Sequence, residues 1–160
     1  EDDLREAIEL LFFAYRDFTG EADTVLANFG FGRAHHRAIY FITRNPGISV
    51  SDLLGILKIT KQSLSRVLNQ LIKEDYVRHQ TDRVDRRRRL LELSQKGEDL
   101  ERQLTARQCS RIIGAFEAAG VDSISGFRSI LRGMIDPGDQ GRVDQRANYF
   151  SKDDKRRLAG

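Results

Sequence analysis

The stretch from residue 49 to residue 94 constrains the fold more than any other part of this 160-residue chain. Two helical patterns lie within it, separated only by Lys58-Ile59-Thr60, which is short enough to require a tight turn. Because Thr60 is a favourable N-cap, the second helix is predicted from Lys61 to about Glu74. Its apolar residues recur at the spacing of one buried helix face, and they are Leu64, Val67, Leu68 and Leu71.

A charged hairpin is predicted directly after these two helices. Residues 76–80 and 89–93 have the pattern of two short strands, and the segment between them is polar and charged. Only Asp82 and Asp85 oppose the cations of residues 78–89, which are Arg78, Arg83, Arg86, Arg87, Arg88 and Arg89. The pattern therefore predicts a β-hairpin wing beside a helix-turn-helix.

Further helices are predicted on both sides of this module. Their ranges are 4–18, 33–44, about 94–119 and 122–135, with the glycines of residues 19–32 separating the first two. Within the module, the first helix is predicted from residue 49 or 51 to 57. The predicted fold class is mainly α with a small β-wing, a winged helix-turn-helix core flanked by N- and C-terminal dimerisation helices. This fold divides the chain into a first dimerisation helix and connection (1–32), the winged helix-turn-helix module (33–97), C-terminal dimerisation helices (98–135) and a charged tail (136–160), within one intertwined domain.

Composition limits the classes of protein that need to be considered. Lys and Arg number 27 against 24 Asp and Glu, so the net charge is only a weak indication of an anionic partner. The single cysteine, Cys109, forms no intramolecular disulfide, and no secretory leader pattern or long apolar segment is present. A cytoplasmic protein without membrane contact is expected. The charged tail is expected to be mobile or loosely docked.

The polar face of the helix predicted from Lys61 to Glu74 indicates a nucleic-acid partner. It carries amide, hydroxyl and cationic side chains and no acid before Glu74, whereas an ordinary solvated face mixes both charges. Gln and Asn can pair with adenine edges, Arg can bridge guanine O6 and N7, and wing arginines can enter a minor groove. Asp85 is compatible with that position if it pairs with an arginine and orients its guanidinium.

Several motifs carry a family resemblance over about residues 4–135. The residues are Thr60-Lys61-Gln62-Ser63-Leu64-Ser65-Arg66, Leu68-Asn69-Gln70-Leu71, Asp85-Arg86-Arg87 and Leu93-Ser94-Gln95-Lys96-Gly97. This pattern resembles the MarR family of winged helix-turn-helix regulators, with Ser94 where threonine is usual. Residues 32–37, Gly-Arg-Ala-His-His-Arg, are similar to a PetP-like subgroup.

The resemblance implies a homodimer on a pseudo-palindromic operator in double-stranded DNA, acting more often as a repressor than as an activator. Asp85 and Arg87 would be the wing pair, and residues 60–66 the groove-reading end. The predicted DNA-binding residues are Thr60, Lys61, Gln62, Ser63, Ser65, Arg66, Asn69, Asp85, Arg86, Arg87 and Arg88.

Other sites are predicted with less support from the residues. A small aromatic acid, as an effector that releases DNA, would use an aromatic and polar set near the dimer helices, although such spacing is more often core. The predicted effector residues are Phe12, Tyr15, Arg16, His36 and Tyr40. No metal and no cofactor are expected, because adjacent His35 and His36 diverge on a helix. Cys109 is expected to be a buried, inert thiol rather than a redox sensor.

Two other function classes are alternatives to DNA binding. An enzyme is not expected, because the chain has no phosphate loop or nucleophile elbow, and Gly30-x-Gly32 lacks a third glycine. A winged-helix module that binds only protein is the alternative, since the fold does not dictate nucleic-acid binding.

Overall fold

The structure, a computed structural model, describes residues 2–150, with side chains described for residues 2–143. Two compact units are present, Glu1–Gly114 and Ala115–Gly160, and each is considered by itself below. None of the described helices is long and apolar enough to cross a membrane.

The first two helices are joined by a glycine-containing turn. Helix α1 spans Asp2–Ala27 and α2 spans Arg33–Arg44. The first helix was predicted to end near Phe18, which is wrong, because Gly20 is tolerated and the following turns bury Ala22 and Leu26. Packing of those two side chains in the core outweighs the low helix propensity of one glycine. The chain leaves helical geometry at Gly30, whose φ of +68° favours glycine.

Two capped helices form the predicted helix-turn-helix. Helix α3 spans Val50–Leu57, and the Ser49 hydroxyl accepts the Asp52 backbone N–H at 3.1 Å. Helix α4 spans Lys61–Lys73, and the Thr60 hydroxyl accepts the Ser63 N–H at 3.1 Å. These caps satisfy amides that a helix N-terminus leaves unpaired. Both helices and the Thr60 cap are confirmed as predicted.

A three-stranded antiparallel sheet forms the wing. Strand β1 is Ile48–Ser49, β2 is Val77–Thr81 and β3 is Arg89–Leu93, in the order β1-β3-β2. The register pairs Val77 with Leu93 in the hairpin and Ile48 with Leu91 on the other side. The hairpin was predicted, whereas β1 was missed because a two-residue strand has no periodicity of its own.

The hydrophobic core lies within Glu1–Gly114 and joins every element of the winged module. Leu64, Val67, Leu68 and Leu71 of α4 are all buried, which confirms the predicted inward face. They pack with residues from the other elements, among them Leu26, Ile39, Ile42, Leu53, Leu91 and Leu104. This shared core fixes α4 and the sheet in one body, because well-packed side chains allow little relative movement.

The start of α5, which spans Gln95–Ala119, lies very close to the turn after α4. The Ser94 backbone N–H donates to the Tyr76 carbonyl at 3.0 Å, and the Ser94 hydroxyl accepts the Gly97 N–H at 3.1 Å. A Cβ added at Gly97 would lie 2.1 Å from the Tyr76 carbonyl oxygen. Only glycine permits this approach of two backbones.

The C-terminal helices differ from expectation in two respects. Helix α6 spans Ser123–Met134 as predicted, and α7 spans Pro137–Phe150, a helix that the sequence did not predict within the charged tail. Proline at the first helical position favours that helix start. Residues 151–160 of the predicted tail lie outside the described residues. Cys109 is exposed rather than buried, and the last fully buried residue of α5 is Leu104.

Burial sets the protonation of one histidine in α2. It lowers the pKa of His36, an effect that the carboxylates of Asp23 and Glu101 partly offset and that the Arg37 cation reinforces. Neutral imidazole is therefore favoured in the folded chain relative to the unfolded chain.

The Gly97→Ala variant tests the close approach at the start of α5. We expect it to lower the free energy of unfolding by about 2 kcal/mol or more, because the new methyl group meets backbone atoms. Gly114→Ala in the same helix is the matched control, since its Cβ meets nothing within 4 Å. Urea unfolding at one protein concentration measures both variants, and an unchanged midpoint for Gly97→Ala would contradict the described contact.

The His36→Gln variant tests the burial of the imidazole. Since the folded pKa is lowered, the unfolded chain binds more protons, and stability should decrease as pH falls below about 6.5. His36→Gln should make the unfolding free energy less dependent on pH between about 7.5 and 5. His79→Gln, at an exposed position on β2, should leave that dependence unchanged. Parallel curves for wild type and His36→Gln would contradict the assignment.

Candidate nucleic-acid interface

Helix α4 presents a polar face opposite its buried leucines. We define the reading face as the exposed residues Lys61, Gln62, Ser65, Arg66, Asn69 and Lys73. The helix contains no acidic residue from Lys61 to Lys73. The face therefore offers amide, hydroxyl and cationic groups without a carboxylate that would repel phosphates.

Two hydroxyls at the start of α4 are already engaged. The Thr60 hydroxyl donates to the Ser63 Oγ at 2.8 Å while accepting the Ser63 N–H. Thr60 is exposed and Ser63 is half-buried. This cap orders the first turn of α4, and it leaves each hydroxyl fewer hydrogen bonds to offer a ligand.

A hydrogen-bond network that the sequence did not predict links α2 to the C-terminal part of α4. The His35 Nδ1 accepts the Gly32 N–H at 3.1 Å, so Nε2 carries the proton and donates to the Gln70 Oε1 at 2.8 Å. The Gln70 amide donates onward to Glu74 at 3.1 Å. Gln70 is thus committed to α2, and no local periodicity relates residues 35 positions apart.

The wing tip is ordered by its two aspartates. The Asp82 carboxylate accepts the Val84 N–H at 2.9 Å, and the Asp85 carboxylate accepts the Arg87 N–H at 3.0 Å. Side-chain bonds of this kind stabilise tight turns. They hold an exposed tip in which Val84 is 96% exposed.

The predicted pairing of Asp85 with an arginine guanidinium is not what the structure has. Asp85 bonds to the Arg87 backbone, and an ion pair joins Arg88 Nη2 of the wing to Asp52 at 3.4 Å. Asp85 lies two residues before Arg87. At this spacing an aspartate carboxylate commonly accepts a backbone N–H within a tight turn. The Asp52 contact was missed because it spans 36 residues.

These contacts leave a strongly basic tip. Within residues 2–143, no ion pair is described for the guanidinium groups of Arg83, Arg86, Arg87 and Arg89. The two nearby carboxylates are each occupied by a backbone amide. The wing can therefore offer several exposed cations to an anionic surface, beside the acid-free reading face of the same unit.

The residues predicted for an effector site are placed on α1 and α2. Phe12 is 62% exposed, the Tyr15 hydroxyl accepts from Arg37 at 2.6 Å, and Arg16 donates to Asp17 at 2.8 Å. His36 and Tyr40 are half-buried. Contacts therefore connect Tyr15 to α2, whereas the described polar and ring contacts of Phe12 and Arg16 stay within α1.

Two surface cavities in the first unit have other linings. One, of about 320 Å³, is bordered by Phe29, Tyr76, Lys96 and neighbouring α5 residues. A second of about 320 Å³ is bordered by residues of α1, by Asn28 and by Arg107. None of the predicted effector residues lines either cavity, so that site stays a prediction.

Comparison with known proteins places this geometry in a family. The MarR family model matches residues 29–88. The HTH-type transcriptional regulator PetP of Rhodobacter capsulatus is 47% identical over 137 residues, covering 86% of this chain and 82% of that protein. The sequence resemblance to the family, including the likeness to PetP, is thereby confirmed.

Solved structures share the fold. A crystal structure of Streptococcus pneumoniae FabT in complex with DNA has a TM-score of 0.73 at 17% identity, covering 82% of this chain and 94% of that one. The multiple antibiotic-resistance repressor MarR of Listeria monocytogenes 4b F2365 has a TM-score of 0.57 at 27% identity, covering 83% and 92%.

The identity to a regulator along most of both chains, the family model over the helix-turn-helix and the winged fold agree with one another. The chain belongs to the MarR family and is a DNA-binding transcriptional regulator.

Proposed function

We propose that this protein is a homodimeric repressor that binds a pseudo-palindromic operator through the reading face of α4 and the wing. The observation that carries the proposal is the acid-free reading face, which lies in the same unit as a basic wing whose two aspartates are occupied by backbone amides. Such a face suits the major groove, where amides and guanidinium groups distinguish base edges.

The two elements have different roles in the proposal. Gln62, Arg66 and Asn69 read bases, and the remaining predicted residues of α4 position the helix on phosphates. Arg86 and Arg87 enter or border the minor groove, while Arg88 is held back by Asp52. Asp85 shapes the wing turn rather than touching DNA.

A second copy of the chain is the proposed cover for the apolar face of α1. Leu4 and Ile8, one helical turn apart, are 70% and 69% exposed, and Leu11 and Tyr15 continue the same stripe at 45% each. In the second unit α6 buries no residue, and Ile130 and Met134 are 66% and 58% exposed. Exposed apolar stripes of this kind mark protein interfaces.

Two-fold symmetry gives the proposed operator its form. A symmetric dimer presents two identical reading faces, so the half-sites should be inverted repeats about one helical turn apart. Repression follows if the operator overlaps a promoter, and reporter transcription with and without the protein tests that part of the proposal.

Release of the operator by a small aromatic acid is proposed for the contact between α1 and α2. The Tyr15 ring lies near two cations of α2, with the Arg33 guanidinium 5.9 Å from its centre and Arg37 bonded to its hydroxyl. Aromatic rings and guanidinium groups together suit an aromatic carboxylate. Titration of the protein–operator complex with salicylate measures this release, and an unchanged complex at saturating acid would reject it.

The experiment that tests the DNA interface compares Gln62→Ala with Arg87→Ala on fragments selected from genomic DNA by the wild-type protein. Gln62→Ala should weaken binding to the selected site about tenfold and leave binding to unrelated DNA unchanged, because only base contacts are lost. Arg87→Ala should weaken binding to both sequences and reduce the slope of log K against log salt by about one.

Fluorescence anisotropy measures these affinities, with Arg102→Ala as control because Arg102 is an exposed cation on α5. The control should bind like wild type. Wild-type affinity in both test variants would show that the reading face and wing are the wrong surface.

The dimer proposal is tested by placing a charge on the apolar stripe of α1. Ile8→Asp should raise the dimer dissociation constant about tenfold or more, because the carboxylate would be buried against a second copy. Val84→Asp, at an isolated exposed valine of the wing, should leave the dissociation constant unchanged. Sedimentation velocity without DNA measures both, and a monomeric wild type at micromolar concentration would contradict the proposal.

A further inference from the structure

Three successive carbonyls at the end of α4 are each bonded by the start of α5. The Lys96 ammonium donates to the Glu74 carbonyl at 2.9 Å, the Ser94 hydroxyl donates to the Asp75 carbonyl, and the Ser94 N–H donates to the Tyr76 carbonyl at 3.0 Å. We call these three contacts the carbonyl clamp. The carbonyl clamp joins α4 to α5 at the turn that leads from α4 into the first wing strand, β2.

Lys96 holds this turn at two points. Besides the bond to Glu74, its ammonium lies 4.1 Å from the centre of the Tyr76 ring, and Tyr76 is only 4% exposed. A cation at this position also faces the negative end of the α4 dipole. The hydrogen bond, the helix dipole and the aromatic ring therefore all stabilise the Lys96 ammonium at this position.

The clamped turn has little conformational freedom of its own. Asp75 has a φ of +58°, a left-handed conformation that residues other than glycine adopt rarely. The turn is followed immediately by Tyr76, whose ring packs edge-on against Phe31 with ring centres 5.0 Å apart. Besides the shared core, the direction of α4 relative to α5 thus depends on this strained turn, which the carbonyl clamp holds against the start of α5.

We propose that Lys96 is a positioning residue for operator binding, which fixes the direction of α4 relative to α5 and so sets the preferred spacing between operator half-sites. The inference rests on the proposed homodimer and its symmetric operator. A change in the direction of α4 occurs in both copies of a symmetric dimer. Its effect on the distance between the two reading faces is therefore doubled.

Lys96 is better suited to a test than the other clamp residues. Ser94 is 2% exposed and Gly97 admits no Cβ, so substitutions there would disturb the fold itself. Lys96 is exposed, and Lys96→Met keeps most of its apolar stem while removing the ammonium. Ser94 and Gly97 keep their contacts in that variant, so it should fold.

The experiment measures the affinity of Lys96→Met for the selected operator and for the same operator with one base pair inserted between the half-sites. We expect binding to the natural spacing to weaken about tenfold, because the lost charge-assisted hydrogen bond no longer holds α4 in the direction that this spacing requires. Binding to the operator with the inserted base pair should weaken much less. The ratio of the affinities for the natural and the longer spacing should therefore become smaller. Lys96→Arg should restore part of the discrimination.

Salt dependence separates positioning from direct contact with DNA. If Lys96 acts through α4, the slope of log K against log salt should be the same as in wild type, whereas a lost phosphate contact would reduce it by about one. Arg102→Met removes a neighbouring α5 cation without touching the turn, and it should keep both the affinity and the spacing preference.

Two results would overturn the proposal. One is a reduced salt slope in Lys96→Met, and the other is an unchanged ratio of the affinities for the two operators, whether or not both affinities fall. Affinities are expressed per active dimer from stoichiometric titration, so that unfolded protein does not count as a loss. Absence of sequence-specific binding by the wild-type protein would instead reject the proposed function, which is a separate outcome.

Discussion

The close approach of Gly97 to the Tyr76 carbonyl is the constraint on which the winged module depends. It lets the first turn of α5 lie directly on the turn between α4 and β2, where Ser94 and Lys96 bond three carbonyls that the end of α4 leaves unpaired. The same turn starts the hairpin, so α4, the wing and α5 meet at one point. A side chain at residue 97 would separate the three elements, because neither backbone can move without disturbing the core.

The distribution of charged side chains distinguishes the winged module from an ordinary helical surface. Acids are absent along α4, and the two carboxylates of the wing are turned inward to backbone amides rather than outward. Asp52, at the start of α3, holds one wing arginine at the base and leaves those nearer the tip exposed. The net charge of +3 would not reveal this, because binding to DNA depends on where the cations lie.

Features encoded by neighbouring residues were predictable from the sequence, and features made by distant contacts were not. The Thr60 cap, the inward leucines of α4 and the hairpin depend on spacing within a few residues. The extent of α1 depends on Ala22 and Leu26 packing in the core, and the links from His35 to Gln70 and from Arg88 to Asp52 depend on the fold already being formed. The role of Asp85 was misjudged because an aspartate beside arginines can bond either to a side chain or to the backbone.

Tethered cleavage of the operator tests the central claim most directly. In a Cys109→Ser background, Ser65→Cys on the reading face and Val84→Cys at the wing tip can each carry an iron–EDTA group that cuts nearby deoxyribose. The account predicts cuts from residue 65 at two symmetric positions about one helical turn apart, and cuts from residue 84 in the flanking minor grooves. An identical group on Arg102→Cys should give no such pattern. Cleavage from residue 102 with none from residues 65 and 84 would contradict the account.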